Sequence, residues 1–164
     1  MNNIIIADTG PLIALALIDQ LLLLNELFEK VYITEAVLHE ATADTSKAGA
    51  KTILAALNNQ AIIKHDVNKD SDFLLELLNI LDKGEAESLS LAKDLGGIAL
   101  IDEKRGRNVG KKNHIKITGT AAILVKAKLS GKIPLVKPLH SKLTKSGYRL
   151  SDRLINEILK LCHE

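Results

Sequence analysis

The chain has 164 residues, 46% of them hydrophobic, and a formal net charge of +2, which suits one compact domain with a sizeable core. Phe28, Tyr32, Phe73 and Tyr148 are the only aromatics, so Ile, Leu, Val and Ala fill that core, and base stacking on aromatic platforms is disfavoured as a mode of nucleic-acid binding. No apolar run reaches the roughly 18 residues of a membrane span, Met1-Asn2-Asn3 lacks the basic flank of a signal peptide, and the lone Cys162 excludes an internal disulfide and points to a reducing cytoplasm.

Strand and helix signals alternate along the chain, which predicts an α/β fold with a largely parallel sheet. Residues 3–7 read as a first strand ending at Asp8. Thr9-Gly10-Pro11 makes a tight turn, with Thr9 as N-cap of an apolar helix and Pro11 near its start. Apolar helices cover residues 12–17 and 21–28, broken around Ile18-Asp19-Gln20. Their Leu and Ile content exceeds what one buried face needs, and either an interface or full burial within the chain accounts for it. Val31-Tyr32-Ile33 is a short strand, and Thr34 caps a helix running to about Ala43. Residues 48–57 read as helix and 61–64 as strand, with a polar loop over 65–72. Residues 73–81 are helical. Gly84 begins or interrupts a further helix to Leu95 that Gly96-Gly97 ends. Residues 97–101 form a strand closed by Asp102, followed by a basic helix over 103–111 and a strand over 114–117. Thr120 caps a helix over 121–129 that Gly131 stops. Two more helices follow, over about 138–146 and 151–161.

The acids stand where chemistry is expected. Asp8 and Asp102 each close a short apolar strand, and open α/β sheets bind ligands outside the carboxyl ends of their strands. Carboxylates gathered there repel one another unless a hard cation such as Mg²⁺ lies between them. Glu40 falls about one turn after Val37, on or beside the buried stripe of its helix. Gly84-Glu85-Ala86-Glu87-Ser88 places two more acids in a helix whose small residues permit close packing. Glu85 sits in the first turn, where the helix dipole by itself favours an acid. From Lys104 to Arg153 there are fourteen Lys and Arg against the single acid Asp152, whereas the first hundred residues are net acidic. The basic half reads either as a phosphate-binding surface beside a metal site or as a solvated face.

Four segments in order resemble the PIN-domain nucleases. They are Ala7-Asp8-Thr9-Gly10-Pro11-Leu12-Ile13-Ala14-Leu15, then Leu81-Asp82-Lys83-Gly84-Glu85-Ala86-Glu87, then Leu100-Ile101-Asp102-Glu103-Lys104-Arg105-Gly106-Arg107, and finally Thr118-Gly119-Thr120 before a helix. Together they are similar to the prokaryotic branch related to VapC toxins, and the resemblance spans nearly the whole chain. It implies a three-layer α/β/α fold with a central, mainly parallel sheet in one domain over residues 1–164, carrying a helical extension from about residue 134. It implies an acidic site in which the family's first Asp is Asp8, its helix acid is Glu40 and its third acid is Glu85, with Glu87 as second choice. The fourth is Asp102 or Glu103. Two departures stand out: the third acid is Glu where Asp is usual in toxins, and Gly10 stands where Ser or Thr is frequent.

By resemblance the chain is a metal-dependent endoribonuclease and the toxin of a type II toxin–antitoxin pair. Its partners are RNA, a small antitoxin and a second copy in a homodimer. The chemistry is consistent, because phosphodiester hydrolysis needs an activated water and relief of developing charge, which Mg²⁺ or Mn²⁺ held by carboxylates supplies. Asp8, Glu85 and Asp102 or Glu103 would ligate the ion. Glu40 would ligate through water or orient the attacking water, and Thr9 would support a carboxylate or the phosphate. Lys104, Arg105 and Arg107, beside the fourth acid, would contact RNA phosphates. No His pair has zinc-ligand spacing, and neither a Gly-x-Ser-x-Gly nor a phosphate-loop run occurs. Two other readings remain. One is a non-catalytic nucleic-acid-binding or interaction module of the same fold, and the other a small-molecule phosphatase on a doubly wound sheet.

Overall fold

In the computed structural model, which describes residues 3–164, the first strand β1 (Ile4–Ala7) lies at the centre of a five-stranded sheet. Strands β2 (Lys30–Ile33) and β3 (Ile63–Lys64) extend it on one side, and β4 (Ile98–Leu100) and β5 (Lys116–Thr118) on the other, giving the order β3-β2-β1-β4-β5. Every pairing is parallel, with Ile5 opposite both Val31 and Ile98. A parallel sheet has both faces covered, so its inner strands are apolar on both sides rather than alternating. Ile5, Ala7, Val31, Ile33 and Leu100 face one core, while Ile6, Ala99 and Ile101 face the other.

The first core is closed by α1 (Thr9–Leu17), α2 (Leu23–Leu27), α3 (Glu35–Ala41), α4 (Ala48–Asn58), α8 (Thr120–Leu129), α9 (Lys137–Lys145) and α10 (Asp152–Leu161). The second is closed by α5 (Asp72–Leu78), α6 (Lys83–Leu95) and α7 (Lys104–Lys112). Helices on both faces of a parallel sheet make the expected three-layer arrangement. Leu12, Leu15, Leu21, Leu23, Leu24, Leu27 and Phe28 are buried, and Leu22 alone among the large apolar residues of that stretch is well exposed. Burial within the chain therefore absorbs the apolar richness of the first helices. Among the described residues, no helix is long and apolar enough to cross a membrane.

The chain runs outward from β1 to β2 and β3, then crosses back to β4 and β5. The order reverses between β1 and β4, and at such a switch point the connections leave in opposite directions and open a crevice. Asp8 follows β1 and Asp102 follows β4 by two residues. The backbone N–H of Asp8 donates to the carbonyl of Leu100 at 3.0 Å and that of Ile101 to Thr118 at 3.0 Å, so the ladder fixes the chain up to both acids.

Several boundaries differ from those the residue pattern suggests. The last strand begins at Lys116 rather than His114, because His114 adopts a left-handed φ of 59° and Ile115 N–H returns to the carbonyl of Gly110 at 3.0 Å. That is a helix-terminating turn, which delays the strand. Gln60, with φ 63°, ends α4 in the same region of backbone space and leaves β3 only Ile63 and Lys64. Thr9 and Thr120 do not cap their helices. Asp8 and Gly119 occupy the N-cap positions, and both threonine hydroxyls turn to carboxylates instead.

Candidate metal and catalytic site

A cleft of about 570 Å³ opens at the switch point, and its walls carry Asp8, Glu40, Asp82, Glu85, Asp102 and Glu103. Four segments deliver these six acids. Asp8 comes from the end of β1 and is 7% exposed; Glu40 comes from α3 and is exposed; Asp82 and Glu85 come from the start of α6; Asp102 and Glu103 come from the turn after β4. Thr9 Oγ1 donates to Glu40 Oε2 at 2.8 Å, which ties the first turn of α1 to α3.

Glycine makes the convergence sterically feasible. A Cβ on Gly84 would lie 3.2 Å from Glu40 Oε2 and 3.3 Å from Asp8 Oδ1, and one on Gly106 would lie 2.8 Å from Glu85 Oε1. Asp8 and Glu40 thus reach the same small volume over the first turn of α6, whose unpaired N–H groups and dipole favour negative charge. Asp82 caps that helix by accepting the N–H of Glu85 at 2.9 Å.

The electrostatics are those of crowded carboxylates. Burial raises Asp8 from an ordinary aspartate value to about 7. The N–H of Thr9 opposes that shift, while the charges of Asp82, Glu40 and Asp102 add to it. Glu85 is likewise pushed up to about 7, by burial first and then by Asp82, Asp8 and Glu103. Glu85 Oε1 is buried without a hydrogen-bond partner. Leaving such an atom bare is costly, and a cation is one means of satisfying it.

Asp102 is held differently. Its Oδ1 accepts the N–H of Thr120 at 2.8 Å, and its Oδ2 accepts both the Thr120 hydroxyl at 2.6 Å and the hydroxyl of Tyr148. The same contact, with burial as the larger cause, pushes the Tyr148 hydroxyl well above the usual phenol range. Glu103, its neighbour, is exposed; its carbonyl accepts the N–H of Arg107 at 3.0 Å, and among the described residues its carboxylate makes no hydrogen bond or ion pair. Both candidates for the fourth acid therefore line the cleft, one braced and one free.

Glu87 lies elsewhere. It is 3% exposed, and its Oε2 accepts the N–H of Ala36 at 3.2 Å, fixing the start of α3. Lys104 and Arg105 are exposed on α7 and line no part of the acidic cleft. Arg107 is half-buried and donates through Nη1 to the carbonyl of Ile101 at 2.9 Å. Sequence reasoning missed Asp82, Tyr148 and Arg149, all of which line the cleft. Asp82 was discoverable as the first residue of Asp82-Lys83-Gly84-Glu85, an N-cap acid three residues before Glu. Tyr148 and Arg149 arrive from the turn between α9 and α10, and no local pattern announces them.

The donor set is all oxygen, which suits Mg²⁺ or Mn²⁺. Among the described residues, no three His, Cys, Asp or Glu side chains converge on one point. Mg²⁺ commonly binds through one or two carboxylates and keeps several waters, so that spacing is compatible with an open site. The orphaned Glu85 oxygen and the raised Asp8 and Glu85 fit such an ion.

A family model described as PIN domain matches residues 4–164. No curated protein and no solved structure gives a significant match. PIN domains are generally nucleases and typically use divalent metals, in keeping with an oxygen-lined crevice at the carboxyl ends of parallel strands. The match covers the whole sheet, every helix and all six acids of the cleft, and the chain belongs to the PIN-domain family.

Proposed function

We propose that this chain is a divalent-metal-dependent endoribonuclease acting as the toxin of a type II toxin–antitoxin pair in the cytoplasm. A small antitoxin and a second copy of the chain are its protein partners. One observation carries the catalytic reading: six carboxylates line the crevice between β1 and β4, where Asp8 and Glu85 are raised to about 7 and one Glu85 oxygen has no partner.

A bound Mg²⁺ or Mn²⁺ supplies a water activated near neutral pH and neutralises charge developing on the scissile phosphate. Asp8 and Glu85 hold the ion, with Asp102 or Glu103 completing the acidic wall. Glu40 keeps one oxygen on the Thr9 hydroxyl and orients the attacking water with the other. Thr120 and Tyr148 hold Asp102 in a single orientation, and such preorganisation lowers the reorganisation needed at the moment of reaction.

A non-catalytic nucleic-acid-binding module of the same fold is the second reading. It draws support from the engagement of both Asp102 oxygens and the absence of a three-carboxylate ligand set among the described residues. Incubation of the purified protein with a panel of single-stranded and structured RNAs in Mn²⁺ separates the two. The nuclease reading predicts cleavage that is abolished by EDTA and by Asp8→Asn, with the circular dichroism of the variant unchanged. Metal-dependent cleavage surviving in Asp8→Asn would sink the assignment of the site, and metal-independent binding without any cleavage would favour the second reading.

A further inference from the structure

The acidic cleft has a neighbour. A second cleft, of about 330 Å³, lies across Asp102 and Tyr148 and is lined by Arg107, Gly119, Arg149 and Ser151 among others. Asp102, Tyr148 and Arg149 belong to both clefts. The hydrogen-bonded pair of Tyr148 and Asp102 is therefore a partition with an opening on either side.

Charge reverses across that partition. The first cleft carries six acids with Arg149 as its one cationic lining residue, whereas the second carries Arg107 and Arg149 against Asp102 alone. Among the described residues, neither arginine forms a salt bridge. Arg107 is nonetheless fixed in place. Its Nη1 donates to the Ile101 carbonyl at 2.9 Å and occupies the space that the missing side chain of Gly119 leaves, where a Cβ would lie 2.8 Å from that nitrogen. A guanidinium has five N–H donors in a rigid fork, so anchoring one nitrogen leaves others for an anion. The volume lies near the lower end of ligand-sized clefts, room for a phosphate with part of its sugar.

We propose that this second cleft binds the phosphodiester adjacent to the scissile one in a single RNA strand, with Arg107 and Arg149 as the phosphate-contacting residues. The strand crosses the Tyr148 partition from the metal-bearing acids to the paired arginines. The position of the scissile phosphate rests on the nuclease reading, whereas the anion site itself rests on the two arginines. An isolated inorganic phosphate would satisfy the same donors, but continuity with the acidic cleft selects a polymer.

Binding of a labelled single-stranded RNA oligonucleotide in EDTA, followed by fluorescence anisotropy over a range of salt, tests this on the intact protein. Arg149→Gln is expected to weaken binding about tenfold, the loss of one charge-assisted contact. It is also expected to reduce the log–log salt slope by about 0.7, the value for one phosphate on a single strand. Arg107→Gln should act in the same direction, and Lys51→Gln, on the exposed face of α4, should change neither quantity. Excess inorganic phosphate should compete only weakly. Wild-type affinity and slope in Arg149→Gln, no RNA binding by the wild type, or displacement of the RNA by inorganic phosphate at concentrations comparable to that of the oligonucleotide would each overturn the proposal. The two readings fail separately. Arg149-dependent binding without cleavage rejects the nuclease and keeps the cleft, whereas cleavage with Arg149 silent does the reverse.

Discussion

At the scale of single residues, the cleft is defined by two acids held in the wrong environment for their charge. Asp8 and Glu85 are 7% and 5% exposed, and each is raised to about 7. In the unfolded chain they lose their protons near pH 4. Between about pH 4 and 7 the folded state therefore binds more protons than the unfolded one, and stability falls as pH rises through that window before levelling off above it. For Asp8 alone the shift corresponds to about 4 kcal/mol, and the coupling between the two groups makes their contributions non-additive. Metal-free protein should accordingly resist urea better at pH 5 than at pH 8, and Asp8→Asn should be more stable than wild type at pH 8. Urea unfolding in EDTA across that range checks this, and a flat or rising profile would contradict the assigned burial. Asp8 and Asp102 were legible in the sequence because an acid closing an apolar strand has little structural reason to be there. Glu85 and Glu87 could not be told apart from sequence alone. Both lie on the inner side of α6, and only the docking of α3 shows that Glu87 serves the Ala36 N–H while Glu85 faces the cleft.

At the scale of elements, close approach depends on where side chains are missing. Helix α7 presents Gly106 and Gly110 four residues apart on one face, and both are buried. Gly110 lets the helix settle against Ile117 and Leu89, and Gly106 leaves room for the Glu85 carboxylate. In Gly106→Ala the new methyl would meet Glu85 Oε1 at 2.8 Å and Ile101 Cγ2 at 3.1 Å. Overpacking of this kind costs roughly 1–3 kcal/mol, partly offset by about 1 kcal/mol of helix propensity. The variant is expected to lose little stability by thermal melting yet to bind Mn²⁺ about tenfold more weakly, because Glu85 is displaced. Unchanged Mn²⁺ affinity would show that Glu85 does not hold the ion. Most elements could be read from apolar runs, caps and glycines, including the stop of α6 at Gly96 with φ 63°. The starts of β3 and β5 could not, because left-handed residues after α4 and α7 delay them and neither Gln60 nor His114 is a strong signal for that conformation. The caps were misread because carboxylates on other elements compete for the hydroxyls. Thr9 and Thr120 look like helix starters, but inside the first turn their hydroxyls serve Glu40 and Asp102.

At the scale of the whole molecule, strand order makes the site. The reversal between β1 and β4 gathers acids that lie as far apart in sequence as Asp8 and Glu103, and it brings the turn between α9 and α10 back over Asp102. That return is long-range packing, which explains why the tail read as a helical extension in the sequence and yet supplies Tyr148 and Arg149 to both clefts. The halves of opposite charge also acquire a spatial meaning, with the acidic cleft and the arginine-bearing cleft meeting at one partition. The central claim is that this crevice is a divalent-metal centre. Diffraction at the manganese absorption edge, from crystals grown with Mn²⁺, tests it most directly. The account predicts an anomalous peak beside the carboxylates of Asp8 and Glu85 that disappears in Asp8→Asn. Ordered Mn²⁺ elsewhere with none in the crevice would contradict it.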